Sequence, residues 1–192
     1  MSEGPPPGFG GEGTGTGSTG AGRADGDASA HGPVSRAGWA LVLALLAVPM
    51  AVIPAAGDLT VVSLWGFLSA AAPGSEAAVG GYPVWDYFLD QSRSFAALPA
   101  SIRAWPLAIG FHVLAASSAA SGVAVGREDR RVTGGLLVLA ATASLWVSVG
   151  LATRFGVGIT AGPFAVLPVG AVATLAVAAV AYGGDLRAIV TR

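Results

Sequence analysis

Four long apolar stretches, at about 38–56, 104–126, 132–153 and 162–182, occupy most of this chain, and its ten basic residues fall almost wholly between or outside them. An α-helix rises ~1.5 Å per residue, so about 20 apolar residues cross a ~30 Å hydrocarbon core. Within that core each backbone polar group must be bonded inside the protein, which favours helices. The pattern therefore predicts an all-α membrane protein with four transmembrane helices. Composition agrees. Charged residues make up 11% of the chain, against about 25% in ordinary soluble domains.

Every basic side chain other than histidine is arginine, and arginine placement predicts orientation. Arg127, Arg130 and Arg131 crowd the turn between the second and third stretches, so that turn is expected on the cytoplasmic side. Arg36, Arg187 and Arg192 then fall on the same side, giving both termini inside. The first loop, 57–103, sets Asp58, Glu76, Asp86 and Asp90 against Arg93 and Arg103, and is expected outside.

That loop carries two further apolar segments. Residues 59–72 run from Leu59 through Val61, Val62, Leu64, Trp65, Phe67 and Leu68, too short to cross a bilayer and better suited to an interfacial or re-entrant element. A fifth span there would place Arg36 outside. In 83–97, Val84, Trp85, Phe88, Leu89, Phe95 and Ala96 share one helical arc opposite Asp86, Asp90 and Arg93. Such a pattern predicts an amphipathic helix on the outer leaflet, either capping the bundle or docking a partner. At the other end, residues 1–36 are Gly-, Pro- and Ser-rich and are expected to form a disordered tail. Gly8, Gly10 and Gly13 mimic a dinucleotide fingerprint, but no strand precedes them and no helix follows. No signal peptide is expected.

Ionisable residues within a membrane are costly and so become functional candidates. His112 sits eight residues into the second stretch, roughly 12 Å below its outer end. Counting inward along the other stretches brings Ser144, Ser148 and Pro49 to a similar depth. The expected binding group is His112 with Ser144 or Ser148, beside the carbonyl that Pro49 frees. A histidine satisfied by one interhelical hydrogen bond is the plainer expectation, and the spans supply no carboxylate at that depth for a proton relay. Arg154, at the outer end of the third stretch, suits an anionic headgroup or an arginine snorkelling to the interface. Small residues recur at four-residue spacing in Gly122–Gly126, Ala140–Ser144–Ser148–Ala152 and Gly170–Thr174–Ala178, the mark of closely packed helices.

Cysteine, lysine and asparagine are absent, which excludes disulfides, thiolate chemistry and N-glycosylation. A net charge of −1 offers no case for nucleic acid. No cofactor and no metal site are expected; the expected partners are membrane lipid and either another membrane protein or further copies of the chain.

Several phrases, GDLTVVSLWG (Gly57–Gly66), LPASIRAWPL (Leu98–Leu107), EDRRVTGGLLVLA (Glu128–Ala140) and LPVG (Leu167–Gly170), resemble a family of uncharacterised haloarchaeal four-span membrane proteins. The likeness covers about residues 38–190. It implies the four-span fold and a gene neighbourhood near archaeosortase, but no activity whose residues could be transferred. The chain is not itself such a transpeptidase, whose nucleophile is a cysteine, and its Pro7-Gly8-Phe9 lies at the wrong terminus for the recognition signal. The classes left are an accessory or assembly component, a small transporter or channel, and a membrane enzyme acting on lipid or envelope substrates.

Overall fold

The computed structural model describes residues 32–55, 58–71, 79–90, 92–126, 128–154 and 166–191, so tail residues 1–31 lie outside the described residues. Helix α1 spans Gly32–Ala44, starting inside the segment expected to be disordered. One tightened turn continues it, with Leu46, Ala47 and Val48 N–H groups donating to the Leu43, Ala44 and Leu45 carbonyls at 3.0–3.2 Å. Pro49 then stops the helix, because a proline disfavours helical backbone at the residue before it. The first predicted span, 38–56, is therefore not one helix: beyond Met50 its described residues, Ala51–Ala55, form a strand.

That strand belongs to a four-stranded antiparallel sheet, which corrects the all-α expectation. The strands are β1 (Ala51–Ala55), β2 (Asp58–Ser63), β3 (Gly66–Ala71) and β4 (Gly80–Pro83), in spatial order β1-β2-β3-β4. Pro54 is tolerated because β1 is an edge strand, where a missing donor costs no ladder bond. Segment 59–72, expected as an interfacial or re-entrant element, is in its described residues mainly the β2–β3 hairpin, with Ser63 paired to Gly66 across Leu64 and Trp65. Its β-branched run Thr60-Val61-Val62 favours strand. Gly66 turns the chain at φ 148°, and a Cβ there would collide with the Tyr82 carbonyl oxygen, so only glycine fits.

After β4 the chain enters α2 (Val84–Leu89), a single 3-10 turn at Phe95–Ala97, and α3 (Ala100–Arg103). The amphipathic helix expected over 83–97 thus ends at Leu89. Its expected apolar face is divided: Val84 is buried and Phe88 packs on the core, whereas Trp85, Leu89 and Phe95 are exposed.

Three long helices follow: α4 (Trp105–Val125), α5 (Arg130–Arg154) and α6 (Val169–Val190). Pro106 suits the first turn of α4, where its missing N–H has no intrahelical partner to lose. Gly126 closes α4 in the left-handed conformation at φ 70°, and the Asp129 carboxylate caps α5 by accepting from the Arg131 and Val132 N–H groups at 3.1 and 3.3 Å. Together α4 and α5 make the predicted antiparallel hairpin. The fourth stretch starts later than 162, since α6 begins after Pro168 and residues 155–165 lie outside the described residues.

Among the described residues, three helical segments are long and apolar enough to cross a membrane: Ala100–Val125, Arg130–Thr153 and Val169–Ala188. Their outward faces are apolar. Leu107, Leu114, Trp146, Val172 and Val180 are each more than half exposed, as expected of surfaces that meet lipid. Inward faces carry the small residues. Ala140, Ser144, Ser148, Gly170, Thr174 and Ala178 are all buried, so these parts of the α5 and α6 stripes face the bundle interior, whereas Ala152 and Gly122 are half-buried and Gly126 is exposed. The protein is thus a membrane protein by its helices.

Sheet and bundle share one core at the end where α1 stops and α4 begins. Fully buried Trp105 is its centre: its indole N–H donates to the Leu64 carbonyl at 3.1 Å, and Phe67 meets its ring edge-on at 5.0 Å. Val52 and Leu167 exchange both backbone hydrogen bonds, at 3.0 and 2.8 Å, and the Gly170 N–H donates to the Met50 carbonyl at 3.1 Å. A Cβ on Gly170 would lie 2.8 Å from the Met50 Cα, so glycine permits this approach.

Candidate functional site

Among the described residues five polar side chains are buried, and four of them, His112, Ser144, Ser148 and Thr174, lie within α4, α5 and α6 on the sheet side of the charged α4–α5 turn. The fifth, Thr133, sits nearer the α4–α5 turn, its hydroxyl 2.7 Å from that of Ser118. His112 is 4% exposed, and both ring nitrogens are engaged. Nδ1 lies 2.8 Å from the Ala108 carbonyl oxygen, an acceptor only, so Nδ1 carries the proton. In the neutral imidazole Nε2 is then an acceptor, and the Thr174 hydroxyl donates to it at 3.1 Å. One interhelical hydrogen bond thereby joins α4 to α6.

The expected partners of His112 are not the observed ones. Ser148 donates to its own helix, at the Ser144 carbonyl, 2.8 Å away. Ser144 Oγ is fully buried with no hydrogen-bond partner among the described residues. The Leu45 carbonyl that Pro49 was expected to free accepts from Val48 N–H at 3.2 Å. Ser118 meets Thr133 and Ser101 abuts Gly150, one antiparallel register that sets Ala108 opposite Ala143, next to Ser144. Arg154 ends α5, and its side chain lies outside the described residues.

The partner missed in the sequence is Thr174, although it stood in the small-residue stripe of α6. A threonine in such a stripe supplies close approach and a hydroxyl together, and depth counting along straight helices misjudged how far the imidazole reaches back along α4 towards Ala108.

A second polar cluster closes the opposite end of the bundle. Arg130 Nε donates to Asp185 at 2.9 Å, its other nitrogen reaches the Ala181 carbonyl, and its guanidinium lies 5.0 Å over the Tyr182 ring. Tyr182 in turn donates to Glu128 at 2.9 Å. The charged α4–α5 turn, read from sequence only as an orientation signal, is thus clasped to the last turns of α6. The Arg130–Asp185 pair is about one-third exposed on each side, so it contributes modestly. At the sheet end, Tyr82 donates to Asp90 at 2.7 Å, and that bond, first among its causes, pushes the phenol up to about 12.

Chemically, the His112 group is self-contained. General acid or base work needs a nitrogen turned towards substrate, whereas both here face their own bundle. Among the described residues no three of His, Asp and Glu converge as metal ligands. Comparison with curated proteins finds no match. A single family covers residues 17–192, nearly the whole length, and on that basis the chain belongs to the family described as a domain of unknown function, DUF8050.

Proposed function

We propose that the protein is a multi-pass component of an archaeal cell membrane or envelope whose role is non-enzymatic, packing against or assembling with another membrane component or with its own copies. Helix α1 serves as a fourth, short crossing element: with its tightened turn it is helical from Gly32 to Val48, ~25 Å by helix rise. The clasped end carrying Arg130 and Arg131 lies inside with both termini, and the sheet lies outside.

One observation supports the non-enzymatic reading above the others. Among the described buried polar side chains, His112 with Thr174 and Thr133 with Ser118 bond between helices and Ser148 bonds its own helix, so their polarity is used up inside the bundle. The orphan Ser144 hydroxyl favours a second reading, a small transporter or channel, because polar groups converging near the midplane are what such proteins need. Complementation of a deletion strain separates the two. The assembly role expects His112→Ala and Arg154→Ala to complement fully, and expects crosslinking in native membranes followed by native mass measurement to show a defined complex or oligomer. A monomer carrying only lipid, or loss of complementation with His112→Ala at normal protein levels, would overturn it.

A further inference from the structure

Between the β3–β4 half of the sheet and the end of α1 lies a cleft of about 440 Å3, walled by Trp65, Phe67, Leu68, Tyr82, Trp85 and Ala47. That volume falls within the ~300–1,000 Å3 of small-molecule sites. We propose that this cleft takes the hydrocarbon chain of a membrane lipid, because an exposed apolar stripe of α1 runs directly into it and the polar side chains of its walls are already bonded within the protein. The inference rests on the reading that the bundle crosses a bilayer with the sheet beside its outer face.

The stripe consists of Ala40, Leu41, Ala44 and Ala47, all exposed and spaced for one helical face. Ala47 is both its last member and a wall of the cleft. A chain lying along the lipid-facing side of α1 thus continues into the cleft without crossing a polar rim. Trp65 and Trp85 stand 43% and 56% exposed at its mouth, where indoles suit the membrane interface.

Wall chemistry favours hydrocarbon over sugar. The Trp65 indole N–H donates to the Leu46 carbonyl at 2.9 Å, and the Ser63 hydroxyl donates to Gly66 O at 3.0 Å while accepting from Trp65 N–H at 3.1 Å. Tyr82 donates to Asp90. A saccharide would displace these bonds; a hydrocarbon chain leaves them intact and covers aromatic surface that water would otherwise wet.

The test uses the full chain in vesicles of phosphatidylcholine with or without bromine at mid-chain, reading quenching of tryptophan emission. Substituting one tryptophan by phenylalanine removes its share of the quenchable signal. Trp146→Phe, on the lipid-facing side of α5, should lower that share, and so should Trp65→Phe. Buried Trp105 remains throughout as the internal report of folding. Gly81→Leu plugs the cleft without touching a tryptophan: its Cβ would meet Leu68 at an ordinary 3.5 Å, and its backbone is not left-handed. This variant should lower the quenchable share as Trp65→Phe does while leaving the Trp146 share unchanged. The proposal is overturned if Trp65→Phe or Gly81→Leu leaves the quenchable share unaltered while Trp146→Phe reduces it. A Trp65 shielded from aqueous iodide yet dark to bromolipid would put a protein partner or second copy there, and would overturn it equally. No bromolipid response from Trp146 would bring down the membrane reading itself, and this inference with it.

Discussion

The bond from Thr174 to His112 is the described side-chain link between α4 and α6, and Thr174→Val isolates it. Valine keeps the β-branched shape, so packing should change little, but the donor to Nε2 is lost. Thr174 is 0% exposed and His112 4%, which leaves water no easy route to replace it. Interhelical hydrogen bonds in a membrane protein average ~0.6 kcal/mol and reach ~1.7 kcal/mol. The same loss viewed from the acceptor, left buried and unpaired, is about 1–3 kcal/mol, which favours the upper part of that range. The expected destabilisation is therefore about 1–2 kcal/mol. A double-mutant cycle with His112→Phe should return a coupling of roughly 0.6–1.7 kcal/mol, because in the phenylalanine background the hydroxyl has nothing to donate to. Reversible unfolding in mixed micelles at increasing dodecyl sulfate, followed by circular dichroism, measures both quantities. Coupling within about 0.3 kcal/mol of zero is ordinary additivity and would refute the pairing.

Ser144→Ala should behave oppositely, leaving stability unchanged or raising it by up to about 1 kcal/mol, because it removes a buried hydroxyl without a described partner; a loss comparable to that of Thr174→Val in the same titration would reveal a bonded water or ligand. Gly66→Ala should cost at least about 1 kcal/mol through the left-handed backbone alone, with the collision at the Tyr82 carbonyl in addition, and near-UV dichroism from the ring cluster around Trp105 should weaken. Arg130→Ala should lower the melting temperature modestly, the ion pair itself contributing no more than about 1 kcal/mol, and the gap from wild type should narrow in high salt; a gap indifferent to salt counts against an electrostatic clasp. Spectrophotometric titration should find one of the three tyrosines ionising near 12, moving down towards 10 in Asp90→Asn. Because the folded value is raised, any stability from that bond is fully present below the unfolded value near 10 and is lost as pH rises through about 12.

The hairpin of α4 and α5, its tight charged turn and the inward small-residue stripes were legible because each is a local pattern: unbroken apolar runs, a short arginine-rich link, and Ala, Ser or Gly every fourth residue. The sheet was hidden by the same rule. Apolar composition identifies a segment that avoids water, but not whether it is helix or strand, and segments 51–55 and 59–71 were weighed by length and hydropathy. Their β-branched residues, Pro54 and the Ser63–Gly66 turn were the available signals. The helix expected over 83–97 ends at Leu89: periodicity alone did not register that the chain beyond it brings Leu98 and Ile102 into the core shared by sheet and bundle. His112 was identified, whereas its partner was not, since pairing across helices depends on register that only the packed bundle supplies.

The exchange of backbone bonds between Val52 and Leu167 imposes an order of assembly on the chain. Edge strand β1 emerges early in synthesis, yet the segment that completes its outer side emerges only after the whole α4–α5 hairpin has been made. Until then the nascent sheet carries an open flank, of the kind that invites wrong pairing between neighbouring chains. Arrival of α6 both pairs that flank at Val52 and seats Gly170 against Met50, so completion of the sheet end waits for the last helix.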